Sequence, residues 1–397
     1  MKTILLSILG AIAFAALTLA PAYGNHRTGS FALPELIAAG DFDRDGNLDL
    51  AVNVTGFDNV TLFRGDGAGG FTLYGHVGSD TLTKGLAVAD LDGDGLLDFA
   101  GCAAWGYDLI IHKGDGLGGF GHRDLVYNGD GEPTRLVIGD FNNDRRPDIA
   151  MNGPDEGIML VYLNDRKGGF RVPPVEIAGI PHSFGLAAAD FNGDGNLDLA
   201  VTSIANPITG AGSSVFILLG DGTGQFTVKE APAVNAFPTS VQAGDLNNDG
   251  KVDLVVGGAQ PTNQTGNYIN TLLGDGTGHF VLKQTITLGA GSLKGEIALG
   301  DFDENGKLDL CYPVTSLQIS HDQSTSLLLF FGDGTGNLVP GPILTVEEEP
   351  HTVVAVDLNK DGHLDLVNSN RTSGTISILL GDGHGNFGTP LFYSVVK

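Results

Sequence analysis

The sequence predicts an all-β fold, a seven-bladed β-propeller of four-stranded antiparallel blades, and three observations predict it. An acidic run of nine residues begins at Asp41, Asp90, Asp140, Asp190, Asp245, Asp301 and Asp357. A Gly-Asp-Gly-x-Gly-x-Phe turn alternates strictly with it, beginning at Gly65, Gly114, Asn164, Gly220, Gly274, Gly332 and Gly381. The third turn is worn (Asn164-Asp165-Arg166-Lys167-Gly168-Gly169-Phe170) and the sixth ends in Leu338. Each unit of roughly 50 residues between these markers carries four short apolar runs bounded by Gly, Asp and Asn, the pattern of strands joined by tight turns.

In chain order, the first element is an address. Lys2 precedes an apolar stretch, residues 4–20, and Ala20-Pro21-Ala22 places small residues at the −3 and −1 positions of a cleavage site. Residues 1–22 read as a secretory signal peptide. Residues 23–34 form a lead-in. Within it Gly29-Ser30-Phe31 imitates the opening of a fourth strand, so this segment either pairs at the seam of the ring or is left over. Residues 35–397 are the propeller. No other segment is long and apolar enough to span a bilayer. The expectation is therefore a secreted protein, extracellular, periplasmic or at the cell surface, with no membrane insertion after signal cleavage.

Within a unit the four runs are strands A to D. In the fourth unit they are 185–189, 197–202, 214–219 and 226–229. The A strands are rich in small residues, such as Ala187-Ala188-Ala189, which fit where sheets converge on an axis. Val215-Phe216-Ile217-Leu218-Leu219 is apolar at every position, as a strand covered on both faces requires. Seven such sheets closing into a ring leave only short, protected edges.

Asp and Glu number 47 against 21 Lys and Arg, a net charge of −26. That excludes nucleic-acid binding through a basic face and disfavours an anionic membrane surface. The ligand positions of the acidic runs hold 23 of the carboxylates. In the first, Asp41, Asp43, Asp45 and Asp49 occupy positions 1, 3, 5 and 9, with Gly46 at position 6. A tight loop with this spacing turns alternate side chains inward, and position 7 can add its carbonyl. The resulting oxygen cage suits calcium, which accepts irregular six- to eight-fold coordination, better than magnesium.

The corresponding ligands are Asp90, Asp92, Asp94 and Asp98; Asp140, Asn142, Asp144 and Asp148; Asp190, Asn192, Asp194 and Asp198; Asp245, Asn247, Asp249 and Asp253; Asp301, Asp303, Asn305 and Asp309; and Asp357, Asn359, Asp361 and Asp365. Position 12 is never acidic and strands flank the loop, so this is not an EF-hand. The third loop replaces the glycine with Arg145 and carries Pro147, and the sixth has Asn305 at position 5. Up to seven Ca2+ ions are expected.

The run Asp-Phe-Asn-Gly-Asp-Gly-Asn-Leu-Asp-Leu (190–199), followed by Leu-Gly-Asp-Gly-Thr-Gly-Gln-Phe (219–226), resembles the FG-GAP/VCBS repeat of integrin α-subunit-like propellers. The resemblance covers about residues 35–397. It implies calcium in the A–B hairpins, held through positions 1, 3, 5, 7 and 9. Members of the family include adhesion heads, lectins and carbohydrate-active lyases or dehydratases.

Alternating strand directions put the A–B loops and C–D turns on one face, and the B–C and D–A connections on the other. From position 9 to the next turn marker the distance is 16 residues in units 1, 2, 3 and 7, but 22, 21 and 23 in units 4, 5 and 6. Insertions gathered on one face of a repeat protein mark a binding side. The long loops (203–213, 258–270 and 313–326) are polar and nearly uncharged. Trp105 and Tyr107 lie on the short opposite side. The A-strand starts contribute Lys84, Arg135, His182, Lys294 and His351, and the last B–C loop adds Arg371. Aromatic and amide groups suit a sugar, and the basic group suits a carboxylate.

The expected function is a secreted, calcium-stabilised binding module, monomeric, for carbohydrate or an extracellular protein. The alternative is a lyase- or dehydratase-type carbohydrate enzyme on the same face, with His182 or His351 as base, although no catalytic spacing is recognisable. Cys102 and Cys311 fall in units 2 and 6, too far apart for a disulfide, and read as small buried residues.

Overall fold

The computed structural model describes residues 32–396 apart from 58, 79–82, 104–108, 127–132, 154–156, 205–211, 236, 260–266, 289–294 and 315–324. The described residues form seven four-stranded antiparallel sheets. Blade 1 is β1 (Leu33–Gly40), β2 (Asp49–Thr55), β3 (Asn59–Gly65) and β4 (Phe71–Gly78). Blade 2 is β5 (Thr83–Ala89), β6 (Asp98–Ala103), β7 (Leu109–Gly114) and β8 (Phe120–Val126). Blade 3 is β9 (Leu136–Gly139), β10 (Asp148–Gly153), β11 (Ile158–Tyr162) and β12 (Val175–Ala178). Blade 4 is β13 (Ser183–Ala189), β14 (Asp198–Ser203), β15 (Ser214–Gly220) and β16 (Phe226–Glu230).

Blade 5 is β17 (Pro238–Gly244), β18 (Asp253–Ala259), β19 (Asn267–Gly274) and β20 (Phe280–Thr287). Blade 6 is β21 (Ala298–Gly300), β22 (Asp309–Val314), β23 (Ser326–Gly332) and β24 (Leu338–Thr345). Blade 7 is β25 (Pro350–Val356), β26 (Asp365–Asn370), β27 (Thr375–Leu379) and β28 (Leu391–Ser394). The predicted A-to-D order is thus found in every unit.

The core is a ring of interfaces. Seven apolar clusters are formed, each shared by two neighbouring blades. In β2, Leu50, Val52 and Val54 face blade 7, whereas Ala51 faces blade 2. A strand with period-two side chains has two apolar neighbours here, which is why stretches of the B and C strands, such as Val215–Leu219, are apolar at every position.

The two sequence markers meet at these interfaces. The aromatic residue at position 2 of an acidic run packs edge-to-face on the Phe that closes the next blade's turn: Phe42 on Phe120 at 5.3 Å, Phe141 on Phe226 at 5.8 Å, Phe191 on Phe280 at 5.5 Å and Phe302 on Phe387 at 5.9 Å. Such pairs add about 1 kcal/mol beyond their buried area. Where position 2 is Leu, Leu246 shares a cluster with Leu338, and Leu358 with Phe71.

Each sheet is built from one continuous stretch of chain, so no strand is exchanged across the seam among the described residues. Blades 1 and 7 join through side chains. Leu50, Val52 and Phe63 pack on Val367, Ile376 and Ile378. Thr61 Oγ1 donates to the Val395 carbonyl at 3.1 Å, Ser369 Oγ to the Glu35 carbonyl at 2.9 Å, and the Phe71 amide to Tyr393 Oη at 3.2 Å. The imitation strand at 29–31 lies outside the described residues. Phe387, expected to open the last strand, instead makes an isolated bridge to Gly381 ahead of β28.

Candidate functional site

Two faces carry polar chemistry. On the first, all seven acidic runs form A–B loops of one conformation. The position 1 carboxylate turns inward and accepts the position 6 amide at 2.7–3.0 Å in every loop. Position 6 has φ between 64° and 91°, the left-handed region that favours glycine. Arg145 adopts it at 64°, so the third loop keeps the shape despite losing its glycine.

Position 9 has a further role that the spacing did not reveal. Its carboxylate starts strand B and is buried, at 0–1% exposure from Asp49 to Asp365. One oxygen accepts the position 2 amide. The other accepts the first amide of the C–D turn in the same blade. Each position 9 Asp therefore clamps the acidic run to the turn, which explains why the markers travel together. Burial pushes these carboxyls up, to about 6 for Asp148, Asp198 and Asp309; the two amide hydrogen bonds oppose the rise and the other loop acids add to it.

The donor set fits a hard cation. Carboxylate oxygens of Asp41, Asp43 and Asp45 converge within 4.8 Å, as do those of Asp90, Asp92 and Asp94, and of Asp301, Asp303 and Asp309. Asp41 Oδ1 is buried with no hydrogen-bond partner, the condition of an oxygen that needs a cation. In the other loops Asn at position 3 lowers the charge, and its amide donates to position 5 in loops 4, 5 and 7.

Basic partners were missed in the sequence. The two loops with four Asp each own a cation just before the turn glycine: Arg64 Nε lies 2.6 Å from Asp43 Oδ2, and Lys113 Nζ 3.1 Å from Asp92 Oδ2. The equivalent residues elsewhere are Leu163, Leu219, Leu273, Phe331 and Leu380. The signal was there: a basic residue precedes the turn only in the two units whose loops have Asp at all four ligand positions, while Asp303, with Asn305 beside it at position 5, is followed by Phe331. In loop 3, Arg166 from the worn turn reaches Asp144 Oδ2 at 3.0 Å.

On the opposite face two of the predicted basic residues, Arg135 and Arg371, are met by acids that the sequence did not single out. Arg135 forms an ion pair across the channel with Glu296, on the far blade. Ser240 Oγ donates to the other Glu296 oxygen at 3.1 Å. Arg371 bridges Glu35 at 3.1 Å and Glu349 at 3.3 Å. His351 is buried, and burial pushes it down to about 4 against the pull of Glu35. Burial opposes ionisation of Glu35, but His351, Lys84, Arg371 and the Thr55 hydroxyl overcome it and hold Glu35 below its ordinary value.

His182 immediately precedes β13 with φ 45°, its carbonyl accepting the Ile204 amide. Lys84 is half-buried in β5. Trp105, Tyr107 and Lys294 lie outside the described residues. Beneath the Arg135–Glu296 pair is a cavity of about 400 Å3, walled by Leu36, Leu86, Val137, Leu186 and Leu299. Cys102 and Cys311 are buried and free.

The FG-GAP-like repeat model matches residues 41–101, 90–151, 140–201 and 204–256, together more than half of the chain. The chain belongs to the FG-GAP-like repeat family. Human integrin alpha-7 is 33% identical over 147 residues, which are 32% of this chain and 12% of that protein; mouse integrin alpha-7 is 32% identical over 146 residues with the same coverage. The chain thus matches only a small part of the length of these relatives. Among solved structures, an Agrocybe aegerita lectin specific for non-reducing terminal N-acetylglucosamine superposes with a TM-score of 0.53 at 17% identity, over 93% of this chain and 92% of that one. BBS1N, solved in complex with ARL6DN, gives 0.60 at 10% identity over 94% and 97%. These two share the fold. The five acidic loops from Asp41 to Asp253 lie within the matched residues, and the loops beginning at Asp301 and Asp357 share their clamp geometry; all seven are termed FG-GAP loops.

Proposed function

We propose that this chain is an exported, calcium-braced binding module whose ligand is a carbohydrate docking on the face opposite the FG-GAP loops. One observation carries the reading: long B–C connections occur in three consecutive blades. They run from β14, ending at Ser203, to β15 at Ser214; from β18, ending at Ala259, to β19 at Asn267; and from β22, ending at Val314, to β23 at Ser326. The other blades make the same connection in a few residues, as between Thr55 and Asn59. Lengthening confined to one side of one face is the mark of a recognition surface on a repeat scaffold.

Calcium in the FG-GAP loops would hold the opposite rim rigid. Asp41, Asp43 and Asp45 and their counterparts would be its ligands, and calcium would supply charge neutralisation rather than chemistry. The polar, nearly uncharged composition of the long loops favours hydroxyl-rich ligands, and the same fold serves a lectin.

The test is a glycan array probed with the full chain, with and without calcium, beside a Trp105→Ala variant and one with residues 204–213 shortened. Binding that falls in the loop-shortened variant supports the reading. An array without hits, together with cleavage of uronate polymers that His182→Ala abolishes, would replace it with the enzyme.

A further inference from the structure

Six of the seven junctions between neighbouring FG-GAP loops carry a side-chain contact, five of them in one direction. The residue at position 4 of one loop, held at positive φ between ligand positions 3 and 5, reaches position 6 or 7 of the next loop. Arg44 Nη2 donates to the Gly95 carbonyl at 2.7 Å, from loop 1 to loop 2. Asn143 Nδ2 donates to Asn196 Oδ1 at 2.7 Å, from loop 3 to loop 4. Asn248 Nδ2 donates to the Gly306 carbonyl at 2.7 Å, from loop 5 to loop 6. Glu304 pairs with His363, from loop 6 to loop 7. Lys360 Nζ donates to Asn47 Oδ1 at 2.6 Å, closing the circle from loop 7 to loop 1.

Two loops have glycine at position 4. At Gly93 the direction reverses, because Arg146, position 7 of loop 3, lies over it with Nη1 3.0 Å from where a Cβ would sit. At Gly193 the nearest atom a Cβ would meet is the Gly276 carbonyl, at 4.0 Å. The junction from loop 4 to loop 5 therefore has no such side-chain tie.

We propose that the position 4 residues are positioning residues that couple neighbouring calcium sites, and that loops 4 and 5 bind independently. The proposal rests on the reading that the FG-GAP loops hold calcium. Positions 3 and 5 of a loop are ligands, so a bound ion fixes the position 4 backbone between them. Its side chain then holds the segment of the next loop that offers the position 7 carbonyl. The next ion meets a loop already ordered, so less entropy is lost on binding. Coupling of this kind is reciprocal and commonly changes affinity about fivefold or more.

The experiment is hydrogen exchange of the metal-stripped mature chain across a series of free calcium concentrations. It reads the midpoint of protection separately for each loop, with total calcium counted by equilibrium dialysis. Disabling loop 7 with Asp357→Asn and Asp361→Asn should raise the midpoint of loop 1 (residues 41–49) by about fivefold or more. In a Lys360→Gly background the same pair of changes should leave loop 1 where it is; glycine already serves at this position in loops 2 and 4, so the loop shape is kept. Lys360→Arg should restore the dependence, since Arg44 already plays that part in loop 1.

Disabling loop 4 with Asp190→Asn and Asp194→Asn should leave loop 5 unmoved. Should the loop 7 variants not fold, Asp245→Asn and Asp249→Asn read against loop 6, with and without Asn248→Gly, test the next junction. Midpoints that never depend on a neighbour, or that depend on it equally after Lys360→Gly, overturn the coupling alone. A chain that takes up no calcium overturns both the coupling and the reading beneath it.

Discussion

At the residue scale the position 9 aspartates separate scaffold from metal site. Asp198 accepts the Phe191 amide at 2.9 Å and the Gly220 amide at 2.7 Å, whereas Asp194 is exposed in the loop. With chelator present, Asp198→Asn should cost about 1–3 kcal/mol, because one buried amide loses its acceptor. Asp194→Asn should cost little under the same conditions. Urea denaturation of the two variants, with and without calcium, checks this: equal losses without calcium would deny the clamp.

His351 gives a second residue-scale prediction. Its folded value of about 4 lies below the 6.5 of a free imidazole, so the neutral ring is favoured in the fold. The stability it contributes is complete above about 6.5 and is lost as pH falls toward about 4. Glu35 and Glu349 pull the ring's value upward, and Arg135 and Arg371 push it down. Melting temperatures of wild type and His351→Gln between pH 7 and 4 should converge as the pH drops.

At the scale of elements, the interlock between the acidic run and the next blade's turn carries the ring. Position 2 accepts Phe or Leu among the seven natural copies. Phe191→Leu should therefore cost about 1 kcal/mol, and Phe191→Ala about 3–5 kcal/mol, since it leaves a cavity against Phe280. Thermal unfolding distinguishes them, and similar losses would show that the site relaxes around any apolar residue. This level was the most legible in the sequence. Strand order, loop shape and turn position repeat seven times, so each worn copy is corrected by its neighbours: Asn164, standing where a turn glycine is expected, still gives its amide to Asp148 and uses its side chain to reach the Leu91 carbonyl at 2.7 Å.

At the scale of the whole molecule, removing calcium should lower the melting temperature by several degrees, and added magnesium should not restore it; an unchanged melting curve in chelator would remove the metal from the account. What the sequence left unread also lives at this scale. Arg135 and Glu296 are 161 residues apart and Arg371 and Glu35 are 336 apart. No local pattern joins such pairs, because they meet only when the ring closes, and the basic cluster looked free until its acids were placed. The match of Arg64 and Lys113 to the two loops with four Asp lay within single units, and was hidden because it occurs in two copies of seven.

The closure of the ring by side chains alone has a consequence for connectivity. Among the described residues every blade is a contiguous stretch of chain and none borrows a strand from the far terminus, so the seven sheets tolerate a change in their order along the polypeptide. Val395 bonds to Thr61 and Ser369 to the Glu35 backbone, leaving the two described ends on adjoining blades. A circular permutant joining residue 396 to residue 32 through a short linker, and opened between blades 2 and 3, should fold with a melting temperature within a few degrees of the parent.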